Sequence, residues 1–512
     1  MTSLFLPILT FLITCLAIGL EVTDEASIKN AASTVAYGMM GYYTGNISKT
    51  DSTIAVLPSP YYWWESGAMW GAMLDYQHNT GDSSYTQVIG QALSSQRGPK
   101  NDLMVPLHVK DEGNDDQAFW GFATMSAAEK NFPSPSPDLI WIDLTQNLWN
   151  TQVNRWDLSS CEGGLRWQIF DFNRGFNYKN VVSNAAFFQL SARLARFTGN
   201  QTYTDWANKS YNWMVQLGLV DPNYRVFDGL DSNNCHRIDH KEWTYNNAII
   251  MYGAAVMLNH TNASPIWVER VQGFLHAATS FFGPPEVLPK VMFEPVCEPQ
   301  NSCNIDQQSF KAYLSRFLWA STLMVPSIAQ EVTSLLIPSA QAAAKSCSGG
   351  SNGMTCGEKW YVGGFDGSYG VGQCMAALEI IQGLLVKKST APLRASDISR
   401  LPSLATIIHS KTDGISSVKE NTETPSAPLP APRNSSPKEH QVQDKPSSSQ
   451  KIASTVTSIS SMGAPLKSAS ISKADKISRL ENSSFSAIFA SVSKLYTLIY
   501  PFALAIIVLA SI

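Results

Sequence analysis

Charge is scarce in this chain. Only 15% of its 512 residues are Asp, Glu, Lys or Arg, and the formal net charge is −4. Recognition of nucleic acid requires a basic stripe facing the phosphates, so nucleic acid is excluded as a partner. Ten Lys and Arg stand against six Asp and Glu between Leu401 and Leu480, which leaves the rest of the chain at about −8. An acidic, Trp-rich body suits a neutral, polyhydroxylated ligand better than a phosphate. No Phe, Trp or Tyr occurs between Val371 and Ser484, in a chain that is 11% aromatic overall. Beyond Lys388 that stretch turns to Ser, Thr, Pro and Lys (TETPSAPLPAPRNSSPKEH). It cannot bury enough apolar area to offset its chain entropy, which excludes a second folded domain there. Residues 388–482 read instead as a disordered Ser/Thr/Pro-rich stalk suited to O-glycosylation. Neither a Gly-rich phosphate loop nor a Ser-His-Asp arrangement is found. In CHRIDHKEW, His236 and His240 stand four apart beside Cys235, but a third clear ligand and a helix to carry the pair are lacking. No metal and no cofactor are expected.

What is present at the two ends points to export. Leu4 to Gly19 is an apolar run ending in small residues and followed by Glu21, so residues 1–20 read as a secretory signal peptide. Near the other end, small residues at Asn482-Ser483-Ser484 precede a spacer and then an apolar run from Leu495 to Ile512. That order matches a glycosylphosphatidylinositol (GPI) attachment signal, with Asn482 as the attachment site and 483–512 as the propeptide. A single C-terminal transmembrane anchor is the competing reading. The expected location is the outer face of the plasma membrane or the cell wall. Sequons at Asn46, Asn200, Asn208 and Asn259 agree with this. So does the cysteine usage: Cys297 with Cys303 and Cys347 with Cys356 can each close a short loop in an oxidising compartment. Cys161 with Cys235 is assigned as a third bridge, and Cys374 as a buried odd thiol.

Between the ends, residues 21–387 read as one predominantly helical body. Tyr61 to Gly81 and Ser183 to Asn200 carry apolar residues at three- and four-residue spacing, and strand-like alternation is confined to short pieces such as Leu165 to Phe170. An internal echo sets the architecture: TGDSSYT at Thr80 recurs as TGNQTYT at Thr198, with an apolar helix before and a second helix after. Gly at the joint supplies the left-handed turn that stops one helix, and the polar residues after it cap the next. The unit is a helical hairpin of about sixty residues, and the body has room for about six. Each hairpin needs neighbours to bury its apolar face, so the repeats stack or close. Polar-aromatic loops between the hairpins favour closure over an open solenoid. The expected fold is an all-α (α/α)6 toroid with one decorated mouth, acting as a monomer.

The chemistry centres on NDDQAFWGFATMSAAE, where Asp115 and Asp116 stand side by side at the start of a helix. One carboxylate there is explained as a cap that satisfies free N–H groups. Two, flanked by Phe119 and Trp120, suit a retaining glycosidase, which needs an ionised nucleophile and a protonated acid ~5–5.5 Å apart. The helix terminus keeps one ionised, and the charge beside it raises the pKa of the other. Sugars stack on indole and phenol rings, and Trp63, Trp64, Trp120, Trp167 and Tyr178 lie near polar groups in the sequence, although a single Trp is more often core than platform. A non-catalytic glycan-binding or structural surface protein, in which the pair only caps a helix, is the rival reading. An inverting toroid hydrolase acting on another polysaccharide is a third.

Several blocks together resemble the fungal mannan endo-1,6-α-mannosidases of glycoside hydrolase family 76, specifically their GPI-anchored cell-wall-biogenesis branch. They are PYYWWESGAMWGAMLDY from Pro60, NDDQAFWGFATMSAAE from Asn114, LRWQI from Leu165 and NYKNVVSNAAFFQLSARLARFTGN from Asn177. CNIDQQSFKAYLSRFLW from Cys303 and GGFDGSYGVGQCMAALE from Gly363 extend the resemblance over nearly the whole body. It implies an (α/α)6 toroid with Asp115 as nucleophile and Asp116 as acid/base. It further implies transfer chemistry on α-1,6-linked mannose: the GPI-core glycan of a mannoprotein, or α-1,6-mannan, is cut and passed to cell-wall glucan. Trp63, Trp64, Trp120, Arg166, Trp167, Asn180, Asn184, Asp228 and Asp366 are the candidate substrate-binding residues.

Overall fold

The computed structural model describes residues 17–400 apart from 46–49, 51, 111, 285 and 288. Most of the signal segment, the sequon at Asn46, the tail with Asn482, and the stalk from residue 401 lie outside the described residues. Among the described residues, twelve helices of ten or more residues follow one another as α1 (Glu25–Met40), α2 (Trp63–Thr80), α3 (Thr86–Ser95), α4 (Asn114–Glu129), α5 (Trp141–Asn154), α6 (Val181–Thr198), α7 (Gln201–Gln216), α8 (Thr244–His260), α9 (Pro265–Ala278), α10 (Phe310–Met324), α11 (Ala329–Ser346) and α12 (Val371–Gln382).

Two kinds of helix alternate. The odd-numbered ones are amphipathic: α1 buries Ile28, Ala31, Ala32, Val35, Ala36 and Met39 and exposes the rest of its circumference. The even-numbered ones are buried on every side. Every residue of α6 from Val181 to Phe197 is buried, as is every residue of α8 from Thr244 to Leu258. A helix apolar all round has no face to give to water, so it must be enclosed. Each even helix packs on the next, from α2 through α4, α6, α8 and α10 to α12, and α12 returns against α2. The odd helices clothe this ring. The fold is the (α/α)6 toroid. Both echo joints behave as read: Gly81 and Gly199 end their helices with φ of 78° and 74°, and Asn200 caps α7 by accepting from the Thr202 N–H.

The inner helices run in parallel, with their N-termini at one mouth, where the loops are longest. A three-stranded antiparallel sheet, β1 (Tyr178–Asn180), β2 (Gly229–Asp231) and β3 (Asn234–Asp239), forms part of that rim. The strand-like stretch Leu165 to Phe170 is not a strand: Gln168 makes a single bridge to Gly113, because its neighbours are spent on fixing the start of α4. All three disulfides form as assigned, and Cys374 is free and buried.

The opposite end of the ring is locked by buried charge. Asp75 on α2 pairs with Lys130 and accepts from Arg316 Nε of α10 at 2.6 Å. Arg316 also faces Glu379 of α12 at 3.7 Å, while Arg193 of α6 pairs with Glu129 of α4 at 2.7 Å. Ser126 accepts from both arginines. Burial alone would raise the pKa of Asp75, but Arg316 and Lys130 outweigh it and hold the carboxyl below its usual range. All six inner helices line a cavity of only about 50 Å³ here, and five of them carry the charges.

The folded body also runs past the expected boundary at residue 387. Leu393 N–H donates to Glu129 O at 2.7 Å, Ser389 Oγ donates to Asn79 at 2.9 Å, and Ala395–Ile398 forms a short helix. This segment docks through its backbone and polar groups, so its lack of aromatics was no guide to its order. Arg394 reaches Asn259 Oδ1, which Arg196 Nε also contacts, and Asn259 Nδ2 donates to Met324 O at 3.1 Å. Asn259 is half-buried, with its amide nitrogen engaged by the Met324 carbonyl. Asn208 lies half-buried on α7 and donates to Thr204 O, whereas Asn200 is exposed.

The charge lock yields a test. Replacing Arg316 with Met leaves Asp75 and Glu379 short of their shared cation, and the expected loss is about 3–5 kcal/mol of stability. Denaturant unfolding of the variant against the parent chain checks it.

Candidate active site

The start of α4 is built to hold two carboxylates together. Gly113 is the cap residue, and its N–H donates to Asp116 Oδ2 at 2.5 Å. The Asp116 N–H donates to Asp115 Oδ1 at 3.0 Å, and Asn180 Nδ2 donates to Asp115 Oδ2 at 2.8 Å. The strip before β1 clamps the turn from outside: Asn114 N–H donates to Trp167 O, and Asn114 Nδ2 donates to Arg166 O, both at 2.8 Å. Asn184 holds that strip in turn, accepting from Leu165 N–H and donating to Leu165 O.

Gly113 is required by close approach. A Cβ there would sit 2.4 Å from Asp115 Oδ1 and 2.9 Å from Asp116 Oδ2, so both carboxyl groups fold over its α-carbon. The two oxygens lie no farther apart than the sum of those distances.

Both groups have pKa values raised above the carboxylate range, with burial as the first cause. Asp115 is relieved by Asn180 and by backbone N–H donors. Asp116 has one backbone donor and, beside it, the charge of Asp115, with Asp306 and Glu112 adding to the repulsion. The pair therefore holds a proton more tightly than an isolated carboxyl would, and the stronger upward push falls on Asp116, which has fewer donors and the charge of Asp115 beside it.

The pair faces a cleft at the N-terminal mouth of the ring. A chamber of about 450 Å³ reaches both carboxyl groups and is walled by Trp64, Tyr178, Trp243, Tyr245 and Phe310, with Asp228, Asp239 and Asp306 among them. A second chamber, about 690 Å³, is lined by Tyr61, Tyr62, His108, Lys110, Asn173 and Arg174. The two share Trp64, Asp116, Trp167 and Asp306, but only the first contains Asp115. Asp228 accepts from Tyr178 Oη at 2.6 Å, and Asp306 accepts from Trp64 Nε1 at 3.0 Å. Burial raises the pKa of both acids, and these donors oppose it.

Trp64, Trp167, Asn180 and Asp228 thus line the cleft with the pair, and Trp63 borders the second chamber. The other candidates serve elsewhere. Trp120 is fully buried, stacks under Trp63 at 5.3 Å and donates to its carbonyl. Arg166 pairs with Asp157 at 2.8 Å and donates to Ser232, Asn184 braces Leu165, and Asp366 accepts from the N–H groups of Glu358, Lys359 and Ser368. None of these four lines the chambers: at a helix interior or loop base, a polar or aromatic residue is used for fixing the backbone. Sequence reading missed Asp306, Asp239, Trp243, Tyr245 and Phe310. Asp306 stands in the CNIDQQSF block, where its proximity to the pair was not visible.

Paired carboxyls in an aromatic-walled cleft at the mouth of an (α/α)6 ring define a glycosidase of the toroid class. Comparison with known proteins narrows this. Residues 27–396 match the glycosyl hydrolase family 76 profile, and the chain belongs to that family of glycoside hydrolases. It is 45% identical over 394 residues to the mannan endo-1,6-alpha-mannosidase DCW1 of Candida glabrata, covering 76% of this chain and 86% of the relative. The corresponding values for the protein of that name from Saccharomyces cerevisiae are 45% over 385 residues, 74% and 84%. Among solved structures, Dfg5 from Chaetomium thermophilum in complex with glucosamine superposes with a TM-score of 0.70 at 39% identity, covering 73% of this chain and 94% of that one. An inactive Salegentibacter α-1,6-mannanase with two consecutive aspartates replaced, in complex with α-1,6-mannotriose, shares the fold at a TM-score of 0.56 and 18% identity, over 70% and 99% of the two chains.

Two outcomes follow from the geometry. Gly113→Ala is expected to fold yet lose at least ~100-fold in turnover, because displaced carboxyls lose their near-attack alignment; steady-state kinetics with circular dichroism checks it. The second concerns stability. A carboxyl whose pKa is raised on folding binds protons more tightly folded than unfolded, so its contribution falls as pH rises above the unfolded value near ~4. Asp116→Asn should therefore raise Tm, by an amount that is small at pH 4 and grows toward neutrality. A gain independent of pH in thermal scans contradicts the assignment.

Proposed function

We propose that this protein is a retaining mannan endo-1,6-α-mannosidase that cuts α-1,6-linked mannose and passes the glycone to a sugar hydroxyl. The observation that carries the reading is the asymmetry of the pair at the junction of two chambers. Asp115, relieved by donors and confined to the first chamber, is the ionised nucleophile. Asp116, protonated and bordering both, stands where the glycosidic oxygen crosses from glycone to leaving group. Attack by a carboxylate oxygen of Asp115 on the anomeric carbon breaks the glycosidic bond while Asp116 delivers its proton to the departing oxygen. Asp116, now ionised, takes a proton from an acceptor hydroxyl or from water entering the second chamber, and the acceptor oxygen displaces Asp115. The bound on the carboxyl separation supports retention, since inverting pairs stand ~6.5–9.5 Å apart.

The in vivo donor in this reading is the GPI-core glycan of a mannoprotein, and the acceptor is cell-wall glucan. Dfg5 from Chaetomium thermophilum binds glucosamine, an amino sugar. In this chain Asp228 and Asp306 give the cleft acidic groups that complement such a cation, while Asp239 is already paired with Lys241. An enzyme tethered outside the membrane by its own GPI anchor meets both partners.

Treatment with a mechanism-based mannosyl inhibitor should leave a covalent mannosyl adduct on Asp115, located by peptide mass spectrometry. NMR of the first-formed product should show the α anomer. A β-anomeric product, or an Asp115→Asn protein with parental turnover, defeats the reading.

A further inference from the structure

Inner helices α2, α4 and α6 are capped by residues at their own starts: Glu65 accepts from the Tyr62 N–H at 3.1 Å, Asp116 from that of Gly113, and Asn180 from that of Ser183. Helix α8 is not. Its cap residue, Trp243, makes no side-chain capping bond, so the first N–H groups of a fully buried helix need an acceptor from outside. Glu294 supplies it from fifty residues further on, accepting from the Thr244 N–H at 3.2 Å and from Thr244 Oγ1 at 2.6 Å. Thr244 stands between Trp243 and Tyr245, and both of these wall the first chamber. The two aromatic walls carried by the start of α8 thus take their place from a distant carboxyl.

Glu294 belongs to residues 293–306, which contribute Val296, Cys297, Ser302, Asn304 and Asp306 to the same chamber. Behind that wall, buried polar groups tie the segment to α10. The Glu294 N–H donates to Glu298 Oε1 at 2.9 Å, and Glu298 pairs with Lys311 of α10 at 2.7 Å. Lys311 in turn donates to the Glu358 carbonyl and lies over the Trp360 ring at 4.3 Å. Its neighbour Phe310 stacks on Tyr245 at 3.8 Å and meets Trp243 edge-on at 5.5 Å. The join therefore closes on itself. Glu294 links α8 to the segment, Glu298 links the segment to α10, and Phe310 links α10 back to α8. Glu298 Oε2 has no hydrogen-bond partner, so this set costs more free energy than an apolar filling of the same space. What it secures is a fixed relation between the side chains on the chamber side of the wall.

We infer that Glu294 is a positioning residue: acting through Thr244, it holds the Trp243 and Tyr245 walls of α8 in place against Phe310 of α10 and the segment that carries Asp306. The inference rests on the reading of the chamber as a mannan-cleaving site. Glu294 is fully buried and meets no ligand itself. Among the described residues, the charged groups that face it are Glu298 on its own segment and Lys311 on α10, with Glu358 beyond Lys311. Burial pushes the Glu294 carboxyl up to about 8, the charge of Glu298 adds to this, and Thr244 and Lys311 oppose it. Glu294 is thus protonated at neutrality. Its ionisation at higher pH sets a second buried charge against Glu298 and loosens the join.

The test compares Glu294→Ala and Glu294→Gln in the full chain, with α-1,6-manno-oligosaccharides as substrates. Glutamine keeps an acceptor for Thr244 and cannot ionise. Well below the Glu294 value, Glu294→Ala should raise KM about tenfold and leave kcat within about twofold, because the wall holds substrate and transition state alike. Glu294→Gln should restore the parental KM. As pH passes about 8, KM of the parent should rise while that of Glu294→Gln stays level; any fall in kcat from Asp116 is common to both. A folded Glu294→Ala protein with parental KM overturns the inference, as does one whose kcat falls while KM holds. Should the alanine variant not fold, the glutamine variant decides alone, and a KM that still rises over the same pH range overturns it. Calorimetric titration of α-1,6-mannotriose into Asp115→Asn protein separates the two readings. Absence of binding defeats the mannan reading, whereas binding that Glu294→Ala leaves unchanged defeats this inference alone.

Discussion

Everything in this protein follows from six helices that cannot face water. Helices α6 and α8 are buried around their whole circumference, and α4 exposes only the edge of Asp116. No layer of two helices can enclose such surfaces; a closed inner ring inside an outer ring does. Closure dictates where chemistry can occur. The barrel wall is occupied by packing, so only the two ends are free, and parallel inner helices make those ends unlike. One end presents N-termini with their unpaired N–H groups and partial positive charge, the other presents C-termini. The Asp115–Asp116 pair lies at the first end. The second carries Lys130 at the end of α4, Arg193 toward the end of α6 and Arg316 reaching in from the middle of α10, each matched to an acid.

The two ends solve the problem of buried charge in opposite ways. At the base, every acid has a cation within reach, so the network fastens α2, α4, α6, α10 and α12 together. At the mouth, Asp115, Asp116, Asp228 and Asp306 share one cleft and are held by hydrogen-bond donors, while Lys241, also in its lining, is paired with Asp239. A cation in contact with the pair would ionise both members and abolish the difference between them. Neutral donors, distributed unequally, preserve it. The energetic penalty of clustering acids in a poorly solvated cleft is the same quantity that strengthens proton binding there, and the locked base is what lets the fold tolerate it.

Most of the ring was legible in the sequence because closure is a property of periodicity. The TGDSSYT and TGNQTYT joints mark hairpins, the apolar spacing marks helices, and the number of hairpins that fit marks the ring. The pair was legible because adjacent residues at a helix start need no long-range information to meet. The cleft walls were not. Asp306 and Asp116 are far apart in sequence and share a chamber only because α4 and α10 open at the same mouth. Trp120 and Trp64 look alike in sequence, both aromatic near the first turn of an inner helix. Trp64 is the second residue of α2 and reaches the cleft, whereas Trp120 is the seventh of α4 and is enclosed in the core. Arg166 and Asp366 show the same limit for polar groups, since a loop residue that fixes backbone and one that meets a sugar are chemically identical.

The rim explains why a ring shared with proteins only 18% identical can acquire its own specificity. The inner helices fix the pair and the first walls of the cleft, and they tolerate little change because every side is packed. The loops between them face solvent and can vary. In this chain one side of the rim is firmly fixed: a disulfide, a buried lysine and a bridging arginine all fasten the β2–β3 hairpin to the strip that clamps Asn114. That strip is the physical link between rim and chemistry. Its carbonyls at Arg166 and Trp167 hold the first turn of α4, while the Arg166 side chain holds the hairpin. The β2–β3 hairpin and the turn that carries Asp115 and Asp116 therefore rest on the same strip of backbone.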